Sequence, residues 1–336
     1  MGPLVTVIVP TYNHARFLPL CLQAIQEQSH TPLEVVVVDD CSTDESAAIA
    51  EAMGVHVIRT PGNSGPAVAR NLGAAWASGE ILFFVDSDVA LAPDAVATGV
   101  ALLAADPELG AVCGIEDPDP LIRSTRTEDY RAHQHHYWSI AAEGDVSFLW
   151  SAIFAIRADV FRETGPFNPA LRYTEEVDYG RRLSERYRVR ITRAIHGRMG
   201  HDRELTVLLR KLFHRGRLRV PLYARRRRFA QGYETASRAW GSLAAVLVLL
   251  TLPLPLVAGP LAALVPAIFL AAWVAGDAGM FRFVFSRKCP LFGAFFVAVH
   301  YLVSLVIIAG VAAGAVQWLT SGQFRDLYEA PLPVRS

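Results

Sequence analysis

Lysine is almost missing from this 336-residue chain: Lys211 and Lys288 are the only two among 32 basic residues. The rest are arginines, whose planar guanidinium suits phosphate recognition. Cysteine is scarce as well. Cys21, Cys41, Cys113 and Cys289 show no C-x-x-C spacing, which excludes a zinc ribbon or a disulfide scaffold as the expected frame. Charge of either sign is low, 19% of residues against about 25% in globular proteins, while 52% are hydrophobic. Disorder is thereby excluded, and a membrane portion is expected. Residues 1–10 hold neither a basic stretch nor a long apolar one. No secretory signal is expected there, so the first domain should stay in the cytosol. There is no internal repeat and no low-complexity linker.

The acids also number 32, so the formal net charge is zero, yet the balance is local rather than uniform. From Arg181 to Arg228 there are 17 basic and 3 acidic residues. Nucleic acid is the usual partner of such a block. Beside an apolar tail a membrane surface fits better, and nucleic acid is not expected.

Residues 1–200 alternate short apolar runs with helical spacing. Val5–Val9, Val35–Val38, Val55–Ile58, Ile81–Val85 and Ala111–Ile115 read as strands. Continuous apolar runs of this kind are buried on both faces, the habit of parallel sheets. Helices are expected between them, at Phe17–Ile25, Asp44–Met53, Pro66–Ala77 and Pro93–Ala105. That order predicts an α/β fold with a doubly wound, mostly parallel sheet flanked by helices. Ligands bind such sheets beyond the carboxyl ends of the strands. Further on, Val146–Ile156 reads as one strand and Glu175–Tyr187 as a helix. The segment 201–238 reads as a basic amphipathic helix on a bilayer, with Leu205, Leu208, Leu209, Leu212 and Phe213 at helical spacing. Residues 239–320 read as a transmembrane region of about three helices, 240–257, 258–276 and 291–319, the last interrupted only by His300. Arginines before the first and last spans place both on the cytoplasmic side, which leaves the tail 321–336 outside.

Acids cluster where two strands end: Asp39-Asp40 after the second, and Asp86-Ser-Asp88 after Ile81–Val85. Carboxylates two residues apart at a strand end can serve one hard cation. The bland alternative is a solvated, capped loop. His133, His135 and His136 read as part of a polar, aromatic loop on the acceptor side or as an ordinary surface segment, and Trp150 as core or acceptor-site lining. Asn63–Gly65 reads as a helix entry.

The ordered series carries more than any one part. Val5-Thr-Val-Ile-Val-Pro-Thr-Tyr-Asn13 is followed by Glu34-Val-Val-Val-Val-Asp-Asp40, Asn63-Ser-Gly-Pro-Ala-Val-Ala-Arg-Asn71, Asp86-Ser-Asp88 and Thr174-Glu-Glu-Val-Asp178. This series resembles the family 2 glycosyltransferases, which have a GT-A fold, over residues 4 to about 215. The resemblance implies an inverting, single-displacement transferase of the cell-envelope polysaccharide kind. It would use a nucleotide sugar, a UDP-sugar being the expected donor, with Mn²⁺ or Mg²⁺. The acceptor would be a lipid-linked or other glycan at the cytoplasmic face of a bacterial inner membrane.

By the same resemblance Pro10, Tyr12, Asp40, Arg70, Asp86 and Asp88 bind the nucleotide sugar. Tyr12 stacks on the base, Asp40 accepts from uracil N3–H, and Arg70 lies near base and diphosphate. Asp86 is nearer the ribose. Asp88 and His201 hold the metal, and Glu176 is the general base. Glu175-Glu176 replaces the family's usual Glu-Asp, so Glu175 and Asp178 stay open as the base. Arg181 and Arg182 are expected to orient Glu176 or to meet phosphate. Two other readings are weighed. A processive polysaccharide synthase usually carries Q-x-x-R-W, and Gln231 is followed here by Gly-Tyr-Glu. A nucleotide-binding scaffold without turnover is permitted by the Glu-Glu pair, but intact Asp40, Asp86 and Asp88 argue against it.

Overall fold

A computed structural model describes residues 2–226 and 236–328. The chain forms two compact units, 1–201 together with 328–336, and 202–327. The first unit runs β1 (Val5–Thr11), α1 (Leu18–Gln26), β2 (Leu33–Asp39), α2 (Ser46–Ala52), β3 (His56–Arg59), α3 (Pro66–Trp76), β4 (Ile81–Val85) and β5 (Val89–Leu91). It continues with α4 (Ala95–Ala105), β6 (Leu109–Glu116), α5 (Arg126–Ala141), β7 (Gly144–Val146), β8 (Ile153–Arg157), α6 (Ala158–Thr164), α7 (Glu175–Ser184) and β9 (Arg188–Met199).

One sheet holds all these strands in the order β3-β2-β1-β4-β8-β6-β9-β5, with β7 added beside β9. The expected parallel half is present: β3, β2, β1 and β4 pair in parallel. Its strands read as unbroken apolar runs because helices cover both faces, and β1 is buried at every position. Beyond β4 the sheet is mixed, since β8 runs antiparallel to both β4 and β6. The expected single strand over 146–156 is two strands joined by a buried turn. Phe148 and Leu149 sustain the apolar pattern there without being in a strand. That turn crosses α7 where a side chain would not fit: a Cβ on Gly180 would meet the Leu149 backbone nitrogen at 2.1 Å.

Three devices bring chemistry to the carboxyl end of the parallel half. β1 and β2 stop together, so the residues after Thr11 and Asp39 emerge side by side. β5 turns straight out of the Asp86–Asp88 bend and pairs with the end of β9, placing Gly200 against Asp88. The loop before α7 is strapped down by Asn71, whose amide donates to Phe167 O (2.9 Å) and accepts from Phe167 N (2.8 Å).

The second unit comprises α8 (Leu205–Arg226), α9 (Ala236–Thr251), α10 (Leu254–Ala258), a 3₁₀ turn (Pro260–Ala263), α11 (Leu264–Gly276), α12 (Ala278–Arg287), α13 (Pro290–Thr320) and α14 (Gly322–Arg325). By length and composition α13 is able to cross a membrane. The 3₁₀ turn and α11, taken with α12, qualify only as one span bent by 68°. At 16 and 13 residues, α9 and α11 are about 24 and 20 Å long, short of a ~30 Å hydrocarbon core. The basic helix α8 packs along α13. Cβ atoms on Gly310 and Gly314 would strike the backbone at Phe213 and Arg217, so the two helices approach closely and run in the same direction. His300 is matched by Asp277, Nε2 to Oδ2 at 3.2 Å. The part of the expected interfacial segment at 227–235 lies outside the described residues, as does 329–336 of the tail.

Candidate donor and catalytic site

The donor end is built from two interlocked turns. Asn13 adopts φ 55° and Cys41 φ 63°. Asparagine is among the residues that tolerate this region. The Asn13 side-chain oxygen accepts from Thr43 N (2.8 Å) and Asp44 N (3.3 Å), and its own N–H donates to Ser42 Oγ (2.9 Å). Asp44 returns the tie by accepting from Ala15 N (3.0 Å). Between them Tyr12 stays 44% exposed, a ring held by a rigid turn and open on its face. Pro10 is a buried member of β1 opposite Val38.

Asp40 is buried and organises the loop before α3. Its Oδ1 accepts from Ser64 N (2.8 Å) and Thr60 Oγ1 (2.9 Å), and its Oδ2 from Gly65 N (2.7 Å). A carboxylate has about four acceptor sites, so Oδ2 keeps capacity for one more donor. The helix entry expected at Asn63–Gly65 is thus the cradle of Asp40.

Arg70, expected near the base and diphosphate, is placed between two acids. It is 3% exposed. Nη2 donates to Asp86 Oδ1 (2.8 Å) and Nη1 to Glu175 Oε1 (2.9 Å). One guanidinium therefore ties the strand-end acid pair to the first turn of α7. Burial opposes its charge, but the carboxylates of Asp86 and Glu175 outweigh that and raise its pKa. Glu175 moves the other way from a usual salt-bridged acid. Burial and then the neighbouring Glu176 charge push its pKa up to about 7, against the opposing pull of Arg70.

The three acids of α7 separate by environment. Asp178 accepts from Arg182 Nε (3.0 Å) and Arg181 Nη2 (3.3 Å). The two arginines thus hold Asp178, and Arg182 also donates to Thr164 O and Pro166 O. Glu175 belongs to Arg70. Glu176 sits half-buried in the same first turn. At the helix start, Thr174 Oγ1 accepts from the Tyr328 hydroxyl (2.7 Å), so the end of the described chain joins the first unit.

Gly200, the residue before His201, donates its N–H to Asp88 O (2.7 Å). Among the described residues no three His, Cys, Asp or Glu side chains group as a metal site. One carboxylate and one imidazole still suit Mg²⁺ or Mn²⁺, which take few protein ligands and complete their shell with substrate phosphate and water.

Sequence does not single out Glu116, and the histidine cluster reads there as a loop of the acceptor side or the surface. The segment read as a loop is the helix α5, opened by a capping box in which Thr125 accepts from Glu128 N and Glu128 accepts from Thr125 N. Thr125-x-x-Glu128 is a recognised start signal. The helix places His135 Nδ1 2.9 Å from the buried Glu116 carboxylate.

Residues 6–165 match the model of glycosyl transferase family 2. Glycosyltransferase GlyG of Streptococcus pneumoniae is 38% identical over 93 residues, 26% of this chain and 31% of GlyG. The Staphylococcus aureus poly(ribitol-phosphate) beta-N-acetylglucosaminyltransferase TarS is 42% identical over 90 residues, 25% of this chain and 16% of TarS. The match spans about a third or less of these relatives' length. Among solved structures, the mannosyltransferase PcManGT from Pyrobaculum calidifontis, in complex with GDP-Man and Mn²⁺, superposes with a TM-score of 0.57. It does so at 21% identity, over 95% of this chain and 88% of that one. The class is therefore a GT-A-fold α/β domain. Residues 6–165 are similar to family 2 glycosyl transferases.

Proposed function

We propose that the protein transfers a sugar from a nucleotide-sugar donor to a glycan or lipid-linked acceptor, with inversion, by single displacement. The observation that carries this is the Arg70 bridge, because it joins the donor-side acid Asp86 to the helix that bears the candidate base. Tyr12 offers a stacking face to the base, and the spare acceptor site on Asp40 suits an N–H of uracil. Asp86 and Asp88 follow toward the ribose and diphosphate. Asp88 and His201 would hold a divalent cation, which would supply charge neutralisation for the departing diphosphate. Glu176 takes the proton of the acceptor hydroxyl as its oxygen bonds to the anomeric carbon and the bond to diphosphate breaks. Retention would need a second carboxylate as nucleophile. The PcManGT complex with a nucleotide sugar and Mn²⁺ supports the same donor chemistry.

Calorimetric titration of UDP, GDP and dTDP into detergent-solubilised protein tests this reading. Mn²⁺-dependent binding, UDP tightest, is expected, and Asp88→Ala should lose the metal-dependent part. No binding of any nucleotide by folded protein would sink the proposal, whereas nucleotide binding without transfer to any acceptor would leave the scaffold reading.

We further propose that the second unit attaches the enzyme to the bacterial inner membrane, with the first unit in the cytoplasm. Tyr328 bonded to Thr174 argues for an even number of crossings, in place of three with an outside tail. A cysteine replacing Ser336 should react from the same face of membrane vesicles as the exposed Cys41. Labelling from opposite faces would restore an odd count.

A further inference from the structure

The end of β6 carries a buried polar assembly that the proposed chemistry does not use. Glu116 is 1% exposed and is gripped by one face of α5. Ser139 Oγ donates to Glu116 Oε2 (3.1 Å), His135 Nδ1 lies 2.9 Å from Oε1, and His136 Nδ1 meets the Glu116 carbonyl at 2.8 Å. His135 is buried too. Its ring stands edge to face with Trp150 on one contact (5.4 Å, 78°) and with His201 on another (5.7 Å, 90°). Burying a carboxyl and an imidazole is costly unless each is matched, and burial pushes the Glu116 carboxyl above its usual range. Such a pair contributes little as packing. The 2.9 Å contact sets the His135 ring against the carboxylate as an ion pair, and the next ring along is His201.

We propose that Glu116 and His135 are a positioning pair for the His201 imidazole, holding it ready for the divalent cation beside Asp88. This rests on the reading of His201 as a cation ligand. Ligand histidines are commonly set by an outer layer of carboxylates and hydrogen-bonding groups, whose loss costs roughly 10–100-fold in metal affinity. Here the outer layer acts through a ring contact, so His135 fixes the orientation of His201 rather than its charge.

The test reads metal binding without turnover. Mn²⁺ is titrated into the full chain with a saturating nucleoside diphosphate and no acceptor, and free Mn²⁺ is followed by electron paramagnetic resonance. His135→Phe, which keeps a ring, should weaken Mn²⁺ by about 10–100-fold. Glu116→Gln should shift affinity in the same direction, and nucleotide binding without metal should be unchanged in both. His201→Ala and Asp88→Ala are the reference losses. Wild-type Mn²⁺ affinity in His135→Phe and Glu116→Gln, with loss in His201→Ala, overturns the positioning role alone. Wild-type affinity in His201→Ala removes the ligand reading and the positioning role with it. If His135→Phe does not fold, the near-isosteric Glu116→Gln decides the matter by itself.

Discussion

Glu176→Gln should lower the transfer rate by about 10²–10⁴-fold, the usual range for a general base, and leave nucleotide binding unchanged. Glutamine keeps the size and hydrogen-bonding reach of the side chain but cannot take a proton. The effect should fall on kcat, since the proton leaves the acceptor only as the new bond forms. Steady-state kinetics with a fixed acceptor and calorimetry of the nucleotide provide the two readouts. The comparison that gives the result its meaning is Asp178→Asn. Asp178 is held by Arg181 and Arg182, so its loss should cost stability first and rate only secondarily. If Asp178→Asn abolishes transfer in folded protein while Glu176→Gln is active, the base assignment moves to Asp178.

What can be read from the chain and what cannot divides along sequence distance. Asp39-Asp40 and Asp86-Ser-Asp88 are visible because a strand end and its acids are neighbours in sequence. The parallel half of the sheet is visible for a related reason: two buried faces leave unbroken apolar runs at Val35–Val38 and Ile81–Val85. Strand direction leaves no such trace, so β8 gives no sign that it runs antiparallel to β4. Arg70 is the sharper case. A basic residue in a helix after a donor loop suggests phosphate, yet its partners Asp86 and Glu175 lie 16 and 105 residues away. Arg181 and Arg182 are the opposite case. Their partner is Asp178, three and four residues back, the ordinary helical spacing for an ion pair. The return of Tyr328 to Thr174 is longer-range still. Hydropathy counts crossings one segment at a time and cannot register which unit a tail rejoins.

Arg70→Met should be the most damaging single change in the first unit. It strands Glu175, buried and beside the charge of Glu176, and removes the tie to Asp86. Breaking a buried pair from one side costs about 3–5 kcal/mol, so the thermal midpoint should fall sharply and donor binding with it. Arg70→Lys should rescue little, because a single ammonium cannot reproduce the planar fork that spans two carboxylates. The pH dependence follows from the raised pKa of Glu175. In the folded state this group holds its proton more tightly than in the unfolded chain. Its contribution to stability is therefore complete below the ordinary carboxylate pKa and is lost as pH rises toward about 7. Glu175→Gln should flatten that decline. Arg70→Met should steepen it and carry it to higher pH, since the one cation favouring the ionised form is gone. Unfolding midpoints of the three proteins between pH 4.5 and 8 decide the point. A wild type whose stability rises across that window would mean that Arg70 dominates Glu175 after all. Arg70→Met combined with Glu175→Leu should recover much of the stability, because no charge is left buried alone. It should not recover transfer, because Asp86 would still lack the guanidinium that holds it against α7.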